Sequence, residues 1–315
     1  MSVKKVNIED VDINDESHTT ITITGDSLTT RTLEKYNEEC PIQKLDAYRY
    51  KVKGSGQVKY YKHAEKRVSY KNNLMKTFNN IRNYINTNIT HENINKVLFI
   101  TLTFAENMQD AQLAYQAYKN FFERFKRFCK DKDLEIPEYI SVIEPQGRGA
   151  FHFHVLLIYK EEPPFIENEK LSELWGLGFT FIKKMDGNIN NVGNYLVAYM
   201  SDVVVDENNE EIVIADGNKS SKIKKGERLK YYPKGIHILR HSKGLKKPAV
   251  VHTTYSTAMN LIEHYSNEYQ KTYETAVQFE DENTKYANAI VKKHFQKITG
   301  EQTTFEASKE FGVEF

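Results

Sequence analysis

Residues 151–159 read Phe-His-Phe-His-Val-Leu-Leu-Ile-Tyr. An aromatic and β-branched run of this length forms a buried strand. Successive side chains on a strand point to opposite faces, so His152 and His154 share one face while Phe151, Phe153 and Val155 face a core. Two imidazoles in the middle of an apolar strand are costly unless something binds them. Their side-by-side placement makes a metal site the first hypothesis.

A His-x-His pair is a weak signal by itself; its neighbours sharpen it. Glu138–Glu144 reads as a strand, Gln146-Gly-Arg-Gly149 as a turn, and Phe151–Tyr159 as the antiparallel partner. In such a hairpin Glu144 reaches the ion beside His152 and His154, with Gln146 as a stand-in for Glu144. Two imidazoles and a carboxylate suit borderline or hard divalent cations and leave positions open for substrate. A cation of that kind acts as a Lewis acid on phosphate or generates hydroxide from water, and a nucleophile is needed to choose between them. Asn191–Asp202, with Tyr195 and Tyr199 four residues apart, reads as a helix presenting both phenols on one face. Tyr265, Tyr269 and Tyr273 repeat the same spacing and read as a stripe on a C-terminal helix.

Net charge is +1, so nucleic-acid affinity must come from local patches. The two cysteines, Cys40 and Cys129, make neither a disulfide framework nor a zinc-finger spacing, which fits a reducing cytosol. No apolar run approaches a membrane span, and no phosphate-binding loop of the Gly-x-x-x-x-Gly-Lys-Ser/Thr type is present, which argues against an NTP-driven motor.

Along the chain, residues 1–45 are polar and read as a poorly ordered segment with one short strand at Thr19–Thr24. Residues 46–72 interleave Lys and Arg with Tyr, a mixture that suits phosphates and bases. Lys66–Ile89 has helical spacing, Val97–Phe104 is a strong strand, and Asp110–Lys130 is an amphipathic helix with Leu113, Ala117, Phe121, Phe125 and Phe128 on its apolar stripe. A short helix ends at Leu171–Trp175, and Gly178–Lys184 is a further strand. Residues 203–230 form a charged loop or hairpin, residues 236–251 are basic and extended, and residues 254–298 are helical. The expectation is an α+β protein on an antiparallel sheet. Its parts are residues 1–45, a domain over 46–252 with a basic N-terminal helix, and a C-terminal helical extension over 253–315.

The chain resembles the HUH endonuclease superfamily, specifically the rolling-circle replication initiators of phages and plasmids. The resemblance rests on three ordered blocks: Phe99-Ile-Thr-Leu-Thr-Phe, Glu144 with Arg148-Gly-Ala-Phe-His-Phe-His-Val-Leu-Leu, and Asn191-Val-Gly-Asn-Tyr-Leu-Val-Ala-Tyr-Met-Ser-Asp. Leu174-Trp-Gly-Leu-Gly-Phe-Thr and Ser242-Lys-Gly-Leu-Lys-Lys-Pro are similar to further elements of phage-type members. The resemblance covers about Lys66 to Pro248.

This resemblance implies a central five-stranded antiparallel sheet of HUH/RRM-like arrangement, flanked by helices, with additional helical segments at both ends. It makes His152, His154 and Glu144 ligands of Mg2+ or Mn2+, Tyr199 the primary nucleophile and Tyr195 the second. It also implies a nickase of single-stranded origin DNA in a bacterial host cytoplasm, working with a host helicase and polymerase. Many members carry lysines where this chain has Ala198 and Asp202, which asks Arg148, Lys183 or Lys184 to meet the scissile phosphate. Lys243 lies in the downstream basic block and is a further DNA contact. An HUH relaxase, a single-strand transposase and a catalytically weakened origin-binding protein leave similar motifs.

Overall fold

The computed structural model of the protein describes residues 3–7, 13–36, 40–61, 71–146, 149–185, 203–205, 222–224, 231–233, 235–281 and 286–298. Two compact units are formed, one by the described residues of 1–64 and 248–300, the other by those of 65–247. The chain starts with β1 (Val3–Asn7), β2 (His18–Thr24) and β3 (Ser27–Leu33), then β4 (Ile42–Lys44), β5 (Arg49–Val52) and β6 (Val58–Tyr60). Next come α1 (Lys71–Asn88), β7 (Val97–Thr103), α2 (Ala111–Asp131), β8 (Glu138–Pro145) and β9 (Phe151–Ile158). They are followed by α3 (Asn168–Trp175), β10 (Thr180–Lys184), β11 (Val203–Val205), β12 (Lys222–Lys224) and β13 (Leu239–His241). The last elements are β14 (Ala249–Thr254), α4 (Tyr255–His264), β15 (Tyr269–Asp281) and β16 (Tyr286–Lys297).

In the second unit β10, β7, β9, β8 and β13 lie in that order as a five-stranded antiparallel sheet, with β9 at its centre. The expected hairpin is present: Glu138 opposes Ile158 and Glu144 opposes His152. Its turn is closed by the Gln146 amide donating to the Ala150 carbonyl at 2.7 Å, and Gly149 takes a φ of 85°, a conformation glycine adopts without cost. β11 and β12 pair antiparallel, as the hairpin reading of 203–230 expects of its ends.

α2 packs on the face that carries Phe151, Phe153 and Val155. Asp110 caps it, accepting from the amides of Gln112 and Leu113. It ends with Asp133 at a φ of 53°, while the Leu134 amide donates to the Cys129 carbonyl at 2.8 Å, a Schellman ending. The buried stripe is Ala114, Tyr118, Phe121, Phe122, Phe125 and Cys129, and Tyr118 stacks on Phe153 with centroids 4.8 Å apart. The expected stripe is therefore rotated by one residue, and Leu113 is 59% exposed. Burying the larger Tyr118 and Phe122 rings removes more apolar area from water than burying Leu113 and Ala117. Trp175 of α3 is fully buried, and its indole N–H donates to the Thr103 carbonyl.

The first unit corrects the reading of both chain ends. β1, β15, β16, β3, β2 and β14 form a six-stranded antiparallel sheet in that order. The N-terminal polar segment supplies two seven-residue strands, β2 and β3. Their inward threonines satisfy one another, as in the 2.8 Å contact between the Thr19 and Thr32 hydroxyls. Threonine is polar but β-branched, and β-branching decided the outcome. The helical expectation for 254–298 holds only at Tyr255–His264; β15 and β16 make a long hairpin instead. A spacing of four residues satisfies a period of two as well as one of 3.6, so the tyrosine set could not discriminate. Tyr273 sits on β15, where its ring stacks on His294 of β16.

Candidate metal centre

Residues directly opposite in a sheet share a face, so register alone assembles the site. Thr103 opposes His152, which opposes Glu144; Thr101 opposes His154, which opposes Val142. The next row along is Phe99, Leu156, Ile140 and His241. α1 lies over that end of the face, where Tyr84 stacks on His241 at 4.5 Å. The site occupies the other end, on the face opposite α2.

Three ligand atoms converge there. The Glu144 Oε2 lies 3.0 Å from His152 Nε2 and 2.6 Å from His154 Nε2, and the two nitrogens are 2.9 Å apart. Glu144 is fully buried and each histidine is 5% exposed. An imidazole Nε2 has one directional site, either a proton or a lone pair. Two nitrogens therefore make at most two hydrogen bonds, yet three close contacts exist. A cation at the shared focus accounts for all three. With ligand bonds of about 2.1 Å, neighbouring positions of an octahedral ion stand ~3.0 Å apart, close to the separations here. Two neutral imidazoles and one carboxylate suit a divalent cation of borderline or hard character.

Burial holds the His154 pKa well below its ordinary value, and the adjacent His152 adds to the shift. The neutral ring is the form that binds a metal. Two residues that sequence reasoning left without a role hold this ring. The Thr101 hydroxyl lies 3.2 Å from His154 Nδ1, and Phe99 stacks on the same imidazole at 5.5 Å and 15°. A donor or acceptor on Nδ1 sets which nitrogen carries the proton and so leaves Nε2 for the ion. The signal was available: period-two alternation puts Phe99, Thr101 and Thr103 on one face of the strand.

The other expected site residues are placed unevenly. Gln146 sits in the turn beyond Glu144 and is not in the cluster. Lys183 opposes Phe99 and shares the site face, whereas Lys184 opposes Leu98 on the other face and pairs with Glu162. Lys243 is exposed in the turn after β13, at the sheet edge opposite β10. Tyr195, Tyr199, Ala198, Asp202 and Arg148, with the helix expected over 191–202, lie outside the described residues. No helix among the described residues is long and apolar enough to cross a membrane.

No curated protein and no solved structure matches the chain. Residues 97–203, about a third of the chain, match a family model described as replication-associated protein, of the ORF2 type. That span begins with β7 and contains Glu144, His152 and His154.

Proposed function

We propose that this protein initiates rolling-circle DNA replication by nicking one strand at an origin through a tyrosine of the HUH type. The observation that carries the reading is the buried Glu144–His152–His154 cluster inside the span that matches a replication-associated family. Its place on the central strand of a five-stranded antiparallel sheet supports the HUH assignment.

Mg2+ or Mn2+ held by these three residues would neutralise charge on the nonbridging oxygens of the scissile phosphate. Tyr199 loses its phenolic proton and its oxygen bonds to phosphorus. The bond to the 3′ oxygen breaks, leaving a free 3′-OH and a 5′-phosphotyrosine. The number of phosphodiester linkages is conserved, so the step is reversible and can reseal a strand. Tyr195 performs a second transfer after one round. Lys183, on the site face, takes the charge-stabilising position that Ala198 and Asp202 leave empty. A host polymerase extends the 3′-OH, and a host helicase supplies the unwinding for which this chain has no phosphate-binding loop. These steps belong in a bacterial cytoplasm.

Ala198 and Asp202 favour one second reading, an origin-binding protein of weakened chemistry. A single assay separates the two. The chain is incubated with Mn2+ and labelled single-stranded oligonucleotides tiling the source replicon, then denatured in SDS. A nickase leaves a covalent adduct that Tyr199→Phe and His152→Ala abolish. A shift in mobility without an adduct establishes the binding-only reading. Cleavage without an adduct overturns both and points to a metal hydrolase.

A further inference from the structure

The edge of the five-stranded sheet beside the site carries two large rings that the fold does not use. Phe181 opposes Thr101, which opposes His154. Two residues earlier, the Phe179 carbonyl accepts from the Thr103 amide at 2.9 Å, which carries the same register on to the His152 row. Alternation puts Phe179, Phe181 and Lys183 on the site face of the chain. Phe179 is 67% and Phe181 44% exposed. Leaving two phenylalanines in water forgoes burial that the fold would otherwise gain, and exposed apolar surface of this kind marks a binding face.

The platform is braced. Gly178 has a φ of 154°, and a Cβ there would lie 2.4 Å from the Thr103 carbonyl oxygen and the Ala105 amide nitrogen. Only glycine lets this segment lie so close to β7, and the Ala105 amide donating to the Leu177 carbonyl pins its start. Side chains two apart on an extended chain stand ~6.7 Å apart, and two strand spacings put the rings about 10 Å from the histidines. Such a pair of rings, with Lys183 next along the same face, matches successive bases of an extended polynucleotide with a phosphate beside them. Duplex DNA shows only base edges, so its ring faces cannot use this surface.

We infer that Phe179 and Phe181 are a stacking platform that grips unpaired bases of single-stranded DNA as its backbone passes through the Glu144–His152–His154 site. The inference rests on reading that site as a DNA-processing centre, but it concerns grip rather than chemistry, and the two fail separately.

The test measures binding of the full chain to a short oligothymidylate by fluorescence anisotropy in EDTA, where no nicking occurs. Phe179→Ala and Phe181→Ala should each weaken binding about 5- to 150-fold while leaving the unfolding transition in place. Phe181→Leu should lose as much as Phe181→Ala, because leucine is apolar but does not stack. Phe181→Trp should keep the affinity, and its emission should be quenched by the oligonucleotide against the single native tryptophan, buried Trp175. Unchanged binding in the alanine variants, full binding by Phe181→Leu, an unquenched Phe181→Trp, or a wild-type chain that does not bind overturns the platform. Adduct formation with Mn2+ is scored separately. An adduct with normal binding by the phenylalanine variants removes the platform and keeps the nickase. Stacking without an adduct does the reverse.

Discussion

At the scale of single residues, the centre depends on what holds His154. A hydroxyl 3.2 Å from Nδ1 and a stacked ring leave its Nε2 aimed at Glu144 and His152. Thr101→Val keeps the shape and removes the hydroxyl, so it should weaken Mn2+ binding roughly 10- to 100-fold with the fold intact, while Thr101→Ser should restore it. Mn2+ titration followed by electron paramagnetic resonance reads this directly; equal affinity in Thr101→Val and the parent would remove Thr101 from the site. The same ring sets a pH dependence. Its folded pKa lies below 6.5, with burial the main cause, so the unfolded chain binds the extra proton between the two values. Stability of the metal-free protein therefore rises with pH through that interval and levels above about pH 6.5, with a slope of at most ~1.4 kcal/mol per pH unit for this one proton. Urea midpoints in EDTA should fall as the buffer is acidified, less steeply in His154→Gln. Identical slopes would mean that another group controls the transition.

At the scale of elements, the close approach of the Gly178 segment to β7 is as decisive as any side chain. Gly178→Ala combines a left-handed φ with a backbone collision and should cost roughly 2–6 kcal/mol, adding strain and overpacking. Thermal unfolding followed by circular dichroism checks it; a midpoint within a degree or two of the parent would show that this edge is pliable. Elements with one strong local signal were legible in the sequence. The β8–β9 hairpin followed from apolar strands around a glycine-bearing turn, and α2 from its Asp110 cap and aromatic spacing. Glu144, His152 and His154 became a cluster once that hairpin was drawn. The failures share a cause. Thr19, Thr30 and Thr32 looked like a solvated segment because a hydroxyl scores as polar, yet in pairs they fill a sheet interior. Tyr269 and Tyr273 fit two periods at once, and only the cross-strand partner, here His294, decides between them. Thr101 and Phe99 were missed as site residues because their role is fixed by pairing with a strand some fifty positions away.

At the scale of the whole chain, the two units are threaded differently. Residues 65–247 are continuous in sequence and enclose one apolar cluster that runs from Phe78 of α1 to Ile238 beside β13. The other unit is split: β2 and β3 come from the start of the chain, while β14, β15 and β16 come from after residue 247. Its small cluster of Ile21, Leu28, Ala258 and Phe295 draws on both segments. An isolated two-stranded hairpin is at best marginal in water, so β2 and β3 need β14 and β16 on either side. Two truncations should therefore behave oppositely. Residues 65–247 expressed alone should unfold in one cooperative transition and still bind Mn2+, because every ligand and the full five-stranded sheet lie within them. Residues 1–247 should keep that transition but lose the amide protection of 18–33 in hydrogen exchange, since both flanking strands are gone. Protection of 18–33 surviving in the shorter chain would show that the β2–β3 hairpin is stable alone and that its threonine pairs suffice to hold it.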